Sequence, residues 1–164
     1  MSFLKIGIDR FEQFNDSIDP LDDDKYLAFV AAIIEGKLNR PLDFAGRTGV
    51  GEFTTVLPDT DQKGAHTVAE NIRKEVEDLA IAHQKKWVSG VLTVSIGVCH
   101  VIPDHRTELD SLLYQADLAL LKAKNAGENR VCNNLDILTV SVNKAPIIEN
   151  NIASPNLKLT LGVG

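Results

Sequence analysis

A glycine-containing turn between two short strand-like runs constrains the fold of this chain more than any other feature. Leu42–Arg47 forms one run and Glu52–Leu57 the other, with Gly49-Val50-Gly51 at the tip between them. Two such runs on either side of a glycine turn are typical of an antiparallel hairpin. This part of the chain therefore belongs to a sheet, and the remaining segments have to pack around it.

The segments around the hairpin alternate between strand and helix patterns. Phe3–Ile8 is typical of a buried strand, and Asp22–Asp24 are expected to cap a helix that includes Phe29 and closes at Gly36. After the hairpin come a helix with an apolar stripe from Ala65 to Leu79, a strand over Val91–Val98, a helix from Leu109 that stops at Gly127, and a closing strand at Arg130–Cys132. The order βαββαβαβ predicts an α+β fold with helices packed on a mainly antiparallel sheet.

The composition bounds the class of protein. With 164 residues, the chain has room for one domain with a sizeable core. A formal net charge of −6 argues against a nucleic-acid binder or a protein that binds anionic membranes, since both need basic surfaces. Cys99 and Cys132 lack metal or redox spacing, and neither a membrane-spanning run nor a secretory signal is recognisable. We therefore expect a cytoplasmic domain with reduced thiols and no membrane segment within this chain.

The character of the sequence changes near residue 133. Pro146 and Pro155, with several asparagines, separate short apolar runs at Leu135–Val142 and Leu157–Leu161. We expect a folded domain over residues 1–132 and a C-terminal extension over residues 133–164. That extension is an added hairpin, a partner-binding segment or a mobile tail, and the sequence leaves these alternatives open.

Four segments resemble landmarks of the GGDEF family of diguanylate cyclases, in the same order and at similar spacing. They are Ile6–Asp16, similar to D-x-D-x-F-K-x-x-N-D; Gly49–Phe53, at the signature; Leu92–Val98, similar to T-x-S-I-G-V; and Ala116–Val131, similar to A-D-x-A-L-Y-x-A-K-x-x-G-R-N-x-V. Four motifs in register are far more specific than any one alone. The resemblance implies a nucleotidyl-cyclase-like fold with a ferredoxin-like palm, here without the family's opening helix and D-x-L-T-x-L-x-N-R turn.

The resemblance also implies which positions would hold magnesium when two GTP molecules are joined. These positions are Gly7 and Gly51, and glycine offers no side-chain oxygen to a hard cation. We expect Asp9 to face away from position 7, so that it does not replace the missing ligand. No metal or other cofactor is expected, except magnesium if residual GTP binding persists.

The positions that contact phosphate in the family have changed as well. Two of the family's cations correspond to Glu12 and Glu128, and Lys124 is retained. A carboxylate repels phosphate where a cation attracts it. We therefore expect an inactive catalytic centre, in which Glu52 and Lys124 are vestigial.

Two further groups of residues match ligand-binding positions of the family. Asn15 and Asp24 match the residues that read the guanine edge, although Asn15 also suits a turn and Asp24 a helix cap. Arg40 and Asp43 match the R-x-x-D site that binds the inhibitory product cyclic di-GMP, and a surface ion pair is the alternative. The family's supporting arginine corresponds to Asn71, which weakens the expected affinity.

The leading hypothesis is a catalytically inactive signalling domain that responds to cyclic di-GMP or to a partner signalling protein. The alternatives are a weakly active cyclase that uses Glu52 and Lys124, and a purely structural dimerisation module. A homodimer is a reasonable expectation for a cyclic di-GMP site of this family.

Overall fold

A five-stranded sheet with three packed helices forms the part of the chain that the computed structural model describes, namely residues 1–11, 20–81 and 91–134 (of residues 20–23, the backbone alone). In chain order the elements are β1 (Ser2–Ile8), α1 (Pro20–Lys37), β2 (Phe44–Gly49), β3 (Glu52–Leu57), α2 (Gln62–Asp78), β4 (Val94–His100), α3 (Leu109–Asn125) and β5 (Val131–Asn133). This order confirms the predicted α+β fold.

The first strand lies at the centre of the sheet, whose strand order is β2-β3-β1-β4-β5. It pairs antiparallel with β3 on one side and with β4 on the other, so that Ile6 lies opposite both Phe53 and Ile96. The predicted hairpin joins β2 to β3, and β5 alone runs parallel to its neighbour, β4. Because β1 is hydrogen-bonded on both sides, its last residues lie where the hairpin tip and the start of β4 meet.

The two faces of the sheet are covered differently. Leu4, Ile6 and Ile8 of β1 belong to a large buried cluster with apolar residues of α1 and α2. On the opposite face, Phe3 and Cys99 pack with Leu112 and Ala116 of α3 in a smaller cluster. The β2 edge is more open, since Phe44 is 66% exposed. One face therefore supplies most of the hydrophobic stabilisation, and the other leaves surface around α3.

The predicted cap of the first helix is wrong. α1 begins at Pro20, so Asp22–Asp24 lie inside its first turns and do not cap it; proline suits the first helical position because its missing N–H would have no intrahelical partner there. Phe29 is exposed, because it points away from the buried stripe of Leu27, Val30 and Ile34. Leu109 is exposed too, one turn before Leu112, the first buried residue of α3.

The end of α1 and the start of α2 are also informative. α1 continues to Lys37, so Gly36 lies in its last turn and does not end it. Asp61 caps α2, as predicted for the segment after the hairpin, and its Oδ1 accepts a hydrogen bond of 2.7 Å from the Gly64 N–H.

The closing strand includes Asn133, one residue beyond the predicted domain boundary. Residues 135–164, which contain nearly all of the predicted C-terminal extension, lie outside the described residues. None of the helices in the described ranges combines the length and the apolar character needed to cross a bilayer.

We predict that Gly97→Ala destabilises the fold by about 2–3 kcal/mol, because overpacking against rigid backbone is costly. A Cβ at position 97 would lie 2.2 Å from the Ala116 carbonyl oxygen and 2.3 Å from the Leu120 nitrogen. The matched control is Gly36→Ala, where a Cβ meets nothing within 4 Å. Since Gly36 lies in a helix, that change should stabilise by about 0.5–1 kcal/mol. Urea unfolding measures both, and equal midpoints for the two variants would contradict the close packing of α3 on β4.

Candidate functional site

The hairpin tip is held against the end of the central strand. Gly51 has a φ of +71°, and a Cβ there would lie 2.6 Å from the Phe11 ring. Its carbonyl accepts a hydrogen bond of 2.9 Å from the Ile8 N–H. Glycine at position 51 therefore allows both the left-handed backbone and the close approach of Phe11.

Asp9 is a buried carboxylate that joins three segments. Its Oδ1 accepts a hydrogen bond of 2.7 Å from Ser95, and its Oδ2 accepts bonds from Thr93 (2.7 Å) and from the Asn129 N–H (3.0 Å). The expectation that Asp9 faces away from position 7 is wrong, because residues two apart in a strand share a face and Ser95 pairs with Gly7. Both carboxylate oxygens of Asp9 nevertheless already accept hydrogen bonds from the protein.

The loop after α3 carries a second contact to the end of β1. Arg10 Nε donates to Glu128 Oε2 at 2.8 Å, so the acid at the family's arginine position is paired with a cation. Arg10, Glu128 and Asn129 all have positive φ, between 46° and 62°. Such backbone conformations are unfavourable for non-glycine residues, and they persist where surrounding contacts hold them in place.

Lys5 forms an ion-pair cluster on the α3 side of the sheet. Its Nζ lies 3.2 Å from Glu52 Oε2 and 3.4 Å from Asp117 Oδ1, and it donates to Thr48 Oγ1 at 3.2 Å. The Lys5 side chain is 13% exposed, which makes these contacts less screened than those of a surface pair. Glu52, the acid of the signature, is therefore bound by an ammonium group of the protein itself.

Lys124 lies directly over Gly7. A Cβ at position 7 would lie 3.0 Å from Lys124 Cε and 3.1 Å from its Nζ. The four charged residues Lys5, Glu52, Asp117 and Lys124 line one cavity of about 500 Å³ together with Tyr114, Leu118, Leu120 and Leu121. We call this cavity the lysine groove.

A second cavity of about 480 Å³ lies between α1 and the hairpin. Its walls are mainly apolar, from residues such as Leu27, Ala31 and Phe53, and its charged residues are Asp24, Glu35 and Arg47. An apolar cleft of this volume with a few polar groups is typical of a small-molecule site. The structure thus places Asp24 at a cleft, whereas Asn15, its predicted companion, lies outside the described residues.

Arg40 and Asp43 lie at the open end of the hairpin, before β2. Arg40 Nη1 donates to Thr60 Oγ1 at 2.9 Å and more weakly to the carbonyls of Pro58 and Asp59. The Arg40 N–H donates to Asp43 Oδ2 at 3.3 Å, while Asp43 Oδ1 is buried with no hydrogen-bond partner in the described part of the chain. The Asp43 side chain is therefore linked to the backbone of Arg40, and the two side chains do not form the surface ion pair that was the alternative.

The helix that follows carries Asn71 and Arg73. Asn71 is exposed. The Arg73 side chain is already hydrogen-bonded within the protein, since its Nη1 donates to Glu77 Oε2 and to Asn129 Oδ1, both at 2.8 Å. Hydrogen bonds from Arg73 and then Asn129 lower the pKa of Glu77 below its ordinary value of 4.5. These hydrogen bonds therefore stabilise the folded state at pH values above the ordinary pKa of 4.5. Their contribution is lost as the pH falls through the lowered pKa of Glu77.

Lys5 and Arg10 were missed as site residues by the sequence analysis. A signal for Lys5 was available, since it is the one charge within the apolar run Phe3–Ile8. Nothing local marks Arg10, whose partner Glu128 is 118 positions away. Within residues 1–11, 20–81 and 91–134, no three His, Cys, Asp or Glu side chains are grouped so that they could hold a metal ion.

The chain matches the family model described as "Diguanylate cyclase, GGDEF domain" over residues 1–130. Diguanylate cyclase A of Treponema denticola is 37% identical over 146 residues, a match that covers 89% of this chain and 36% of that protein. Diguanylate cyclase DgcM of Escherichia coli is 36% identical over 79% of this chain and 30% of its own length. The chain thus spans about a third of the length of these curated relatives.

The structural comparison gives the same family. The GGDEF domain of DgcB from Caulobacter crescentus, in complex with c-di-GMP, superimposes with a TM-score of 0.71 at 30% identity, over 82% of this chain and 77% of that one. These matches confirm the nucleotidyl-cyclase-like fold and the resemblance of the four motifs. The chain belongs to the GGDEF family of diguanylate cyclase domains.

We predict that restoring an acid at position 51 is more costly than restoring one at position 7. Gly51→Glu places a side chain in a left-handed conformation, at about 1–2 kcal/mol, and against the Phe11 ring. Gly7→Asp meets only side-chain ends, Lys124 at 3.0 Å and Leu120 Cδ2 at 3.3 Å, and the Lys124 ammonium can pair with the new carboxylate, so it should lower the free energy of unfolding less than Gly51→Glu does. Chemical denaturation compares the two, and a Gly51→Glu variant as stable as the parent would contradict the observed tip conformation.

Proposed function

We propose that this chain is a catalytically inactive GGDEF domain that binds cyclic di-GMP at Arg40 and Asp43 and acts as a signalling module. The observation that carries this proposal is the placement of Arg40 and Asp43 together at the open end of the hairpin, where the Arg40 N–H donates to Asp43 Oδ2 at 3.3 Å. A carboxylate oxygen accepts more than one hydrogen bond, so Oδ2 can also accept from a ligand N–H.

The geometry of Arg40 supports the same site. Its Nη1 atom is anchored by Thr60 and two carbonyls, which fixes the guanidinium plane on an exposed surface. The remaining guanidinium N–H groups are then oriented in advance toward a guanine edge or a phosphate. Asp43 would accept from the N–H groups of the same guanine. The solved c-di-GMP complex of the DgcB GGDEF domain makes this ligand class a reasonable one to test.

The residues at the catalytic positions do not fit a magnesium ion. Gly7 and Gly51 carry no oxygen ligand, and the Lys124 ammonium lies over Gly7, where it would repel a divalent cation. Glu52, the remaining acid of the signature, is paired with Lys5. A site that lacks two ligands and holds two ammonium groups does not support metal-assisted attack on a phosphate.

The remaining features extend the proposal. The apolar cleft with Asp24 would hold a purine base, and Lys124 would hold a phosphate group, as relics of substrate binding.

Cyclic di-GMP carries two identical guanines, so it could also bridge two copies of the chain into a homodimer. A partner protein is a further part of the proposal, because a related cyclase, SiaD of Pseudomonas aeruginosa, was solved in complex with its activator SiaC. We place the domain in the cytoplasm, where cysteine thiols such as those of Cys99 and Cys132, which form no disulfide, stay reduced.

Calorimetric titration with cyclic di-GMP tests the binding site. We expect binding that weakens at least about tenfold in both Arg40→Ala and Asp43→Ala, since each removes a charge-assisted hydrogen bond. Arg106→Ala, an exposed arginine whose side chain has no recorded contact in the described part of the chain, is the matched control and should bind like the parent. Absence of binding by the parent protein, or equal binding by all three variants, would refute the proposed site.

Incubation with GTP and magnesium tests the inactive centre. We expect no cyclic di-GMP from the parent protein or from Gly7→Asp, because a single restored acid leaves Gly51 and the Lys5–Glu52 pair unchanged. Product analysis by chromatography checks this expectation. Magnesium-dependent product that disappears in Glu52→Gln would show that the centre is active and that the weakly active cyclase is the correct alternative.

A further inference from the structure

We propose that the lysine groove binds the phosphate groups of a nucleotide without a divalent cation, with the Lys124 ammonium in the place of the metal. This inference rests on the proposed function, because it assumes that the catalytic positions no longer hold magnesium. It adds that the altered site takes the free nucleotide anion and not its magnesium complex, and it names the residues responsible.

The position of Lys124 is the first observation. Its Cε and Nζ lie at 3.0 and 3.1 Å from where the Cβ of residue 7 would be, so the ammonium fills the space beside Gly7. None of the described residues forms a recorded hydrogen bond or ion pair with it. A half-buried ammonium without a carboxylate partner gains from an anion within reach, and phosphate oxygens are strong acceptors for it.

Lys5 removes the main objection to an anion in this groove. Two carboxylates, Glu52 and Asp117, line the same cavity and would repel phosphate if they were free. The Nζ of Lys5 lies within 3.4 Å of an oxygen of each, so one ammonium offsets much of both charges. Lys124 then remains as the cation whose charge is not already used within the groove.

The same arrangement disfavours a divalent cation. Two ammonium groups line a cavity that offers two carboxylates already engaged by Lys5. Magnesium would have to displace Lys5 and approach Lys124, and both steps are unfavourable between like charges. A nucleotide should therefore bind here as the free anion in preference to its magnesium complex.

Calorimetry with GTP as the probe, in buffer with EDTA and in buffer with excess magnesium chloride, tests the inference. We expect binding in EDTA that magnesium weakens, and a loss of about tenfold in Lys124→Gln. The matched control is Lys122→Gln, on the same helix but not part of the groove lining, which should bind like the parent. Lys5→Met should weaken binding in EDTA as well, because it leaves Glu52 and Asp117 uncompensated.

The outcomes separate this inference from the proposed function. Cyclic di-GMP titrated into the same variants reports on Arg40 and Asp43 and also shows that Lys124→Gln is folded. GTP binding that needs magnesium, that is absent in both buffers, or that is unchanged in Lys124→Gln would overturn the metal-free groove, whatever cyclic di-GMP does. Loss of cyclic di-GMP binding alone would instead count against the Arg40 site.

Discussion

The buried carboxylate of Asp9 is the interaction on which the site depends. It accepts hydrogen bonds from Thr93, Ser95 and the Asn129 backbone, and so joins the end of β1 to the start of β4 and to the loop after α3. A buried charge with three donors is tolerated, whereas the same group with a donor missing would be strongly unfavourable. This constraint fixes the loop whose Glu128 meets Arg10, and it places the Gly7 end of β1 beneath Lys124.

Pairing within the protein explains how the charge changes at this site are accommodated. An acid at position 128 would repel phosphate if it stood alone, but it forms a 2.8 Å ion pair with Arg10. Glu52 is matched in the same way by Lys5, on the other side of Gly7. The Arg10–Glu128 pair is partly exposed and contributes little stability, so its importance lies in the local field, which is closer to neutral than the sequence alone suggests.

Local signals predicted the elements of the fold well, and they failed where distant residues meet. The hairpin at Gly49-Val50-Gly51 and the end of α3 before Gly127 follow from turn chemistry and are confirmed. The face of Asp9 was predicted wrongly although the two-residue period of a strand determines it. The contacts of Lys5 with Asp117 and of Arg10 with Glu128 could not be predicted, because each joins elements that only the folded sheet brings together.

The two proposed binding regions lie at opposite ends of the hairpin. Arg40 contacts the turn after β3 at the open end, whereas Gly51 and Glu52 lie at the tip, and six residues of strand between them span about 20 Å. Exposed charges at that distance are largely screened from each other at physiological salt. In the proposed function, glycine at positions 7 and 51 removes a metal site while Arg40 and Asp43 keep their arrangement. The proposed domain would then lack catalysis and keep a ligand-responsive surface, since no hydrogen bond or ion pair among the described residues joins the two regions.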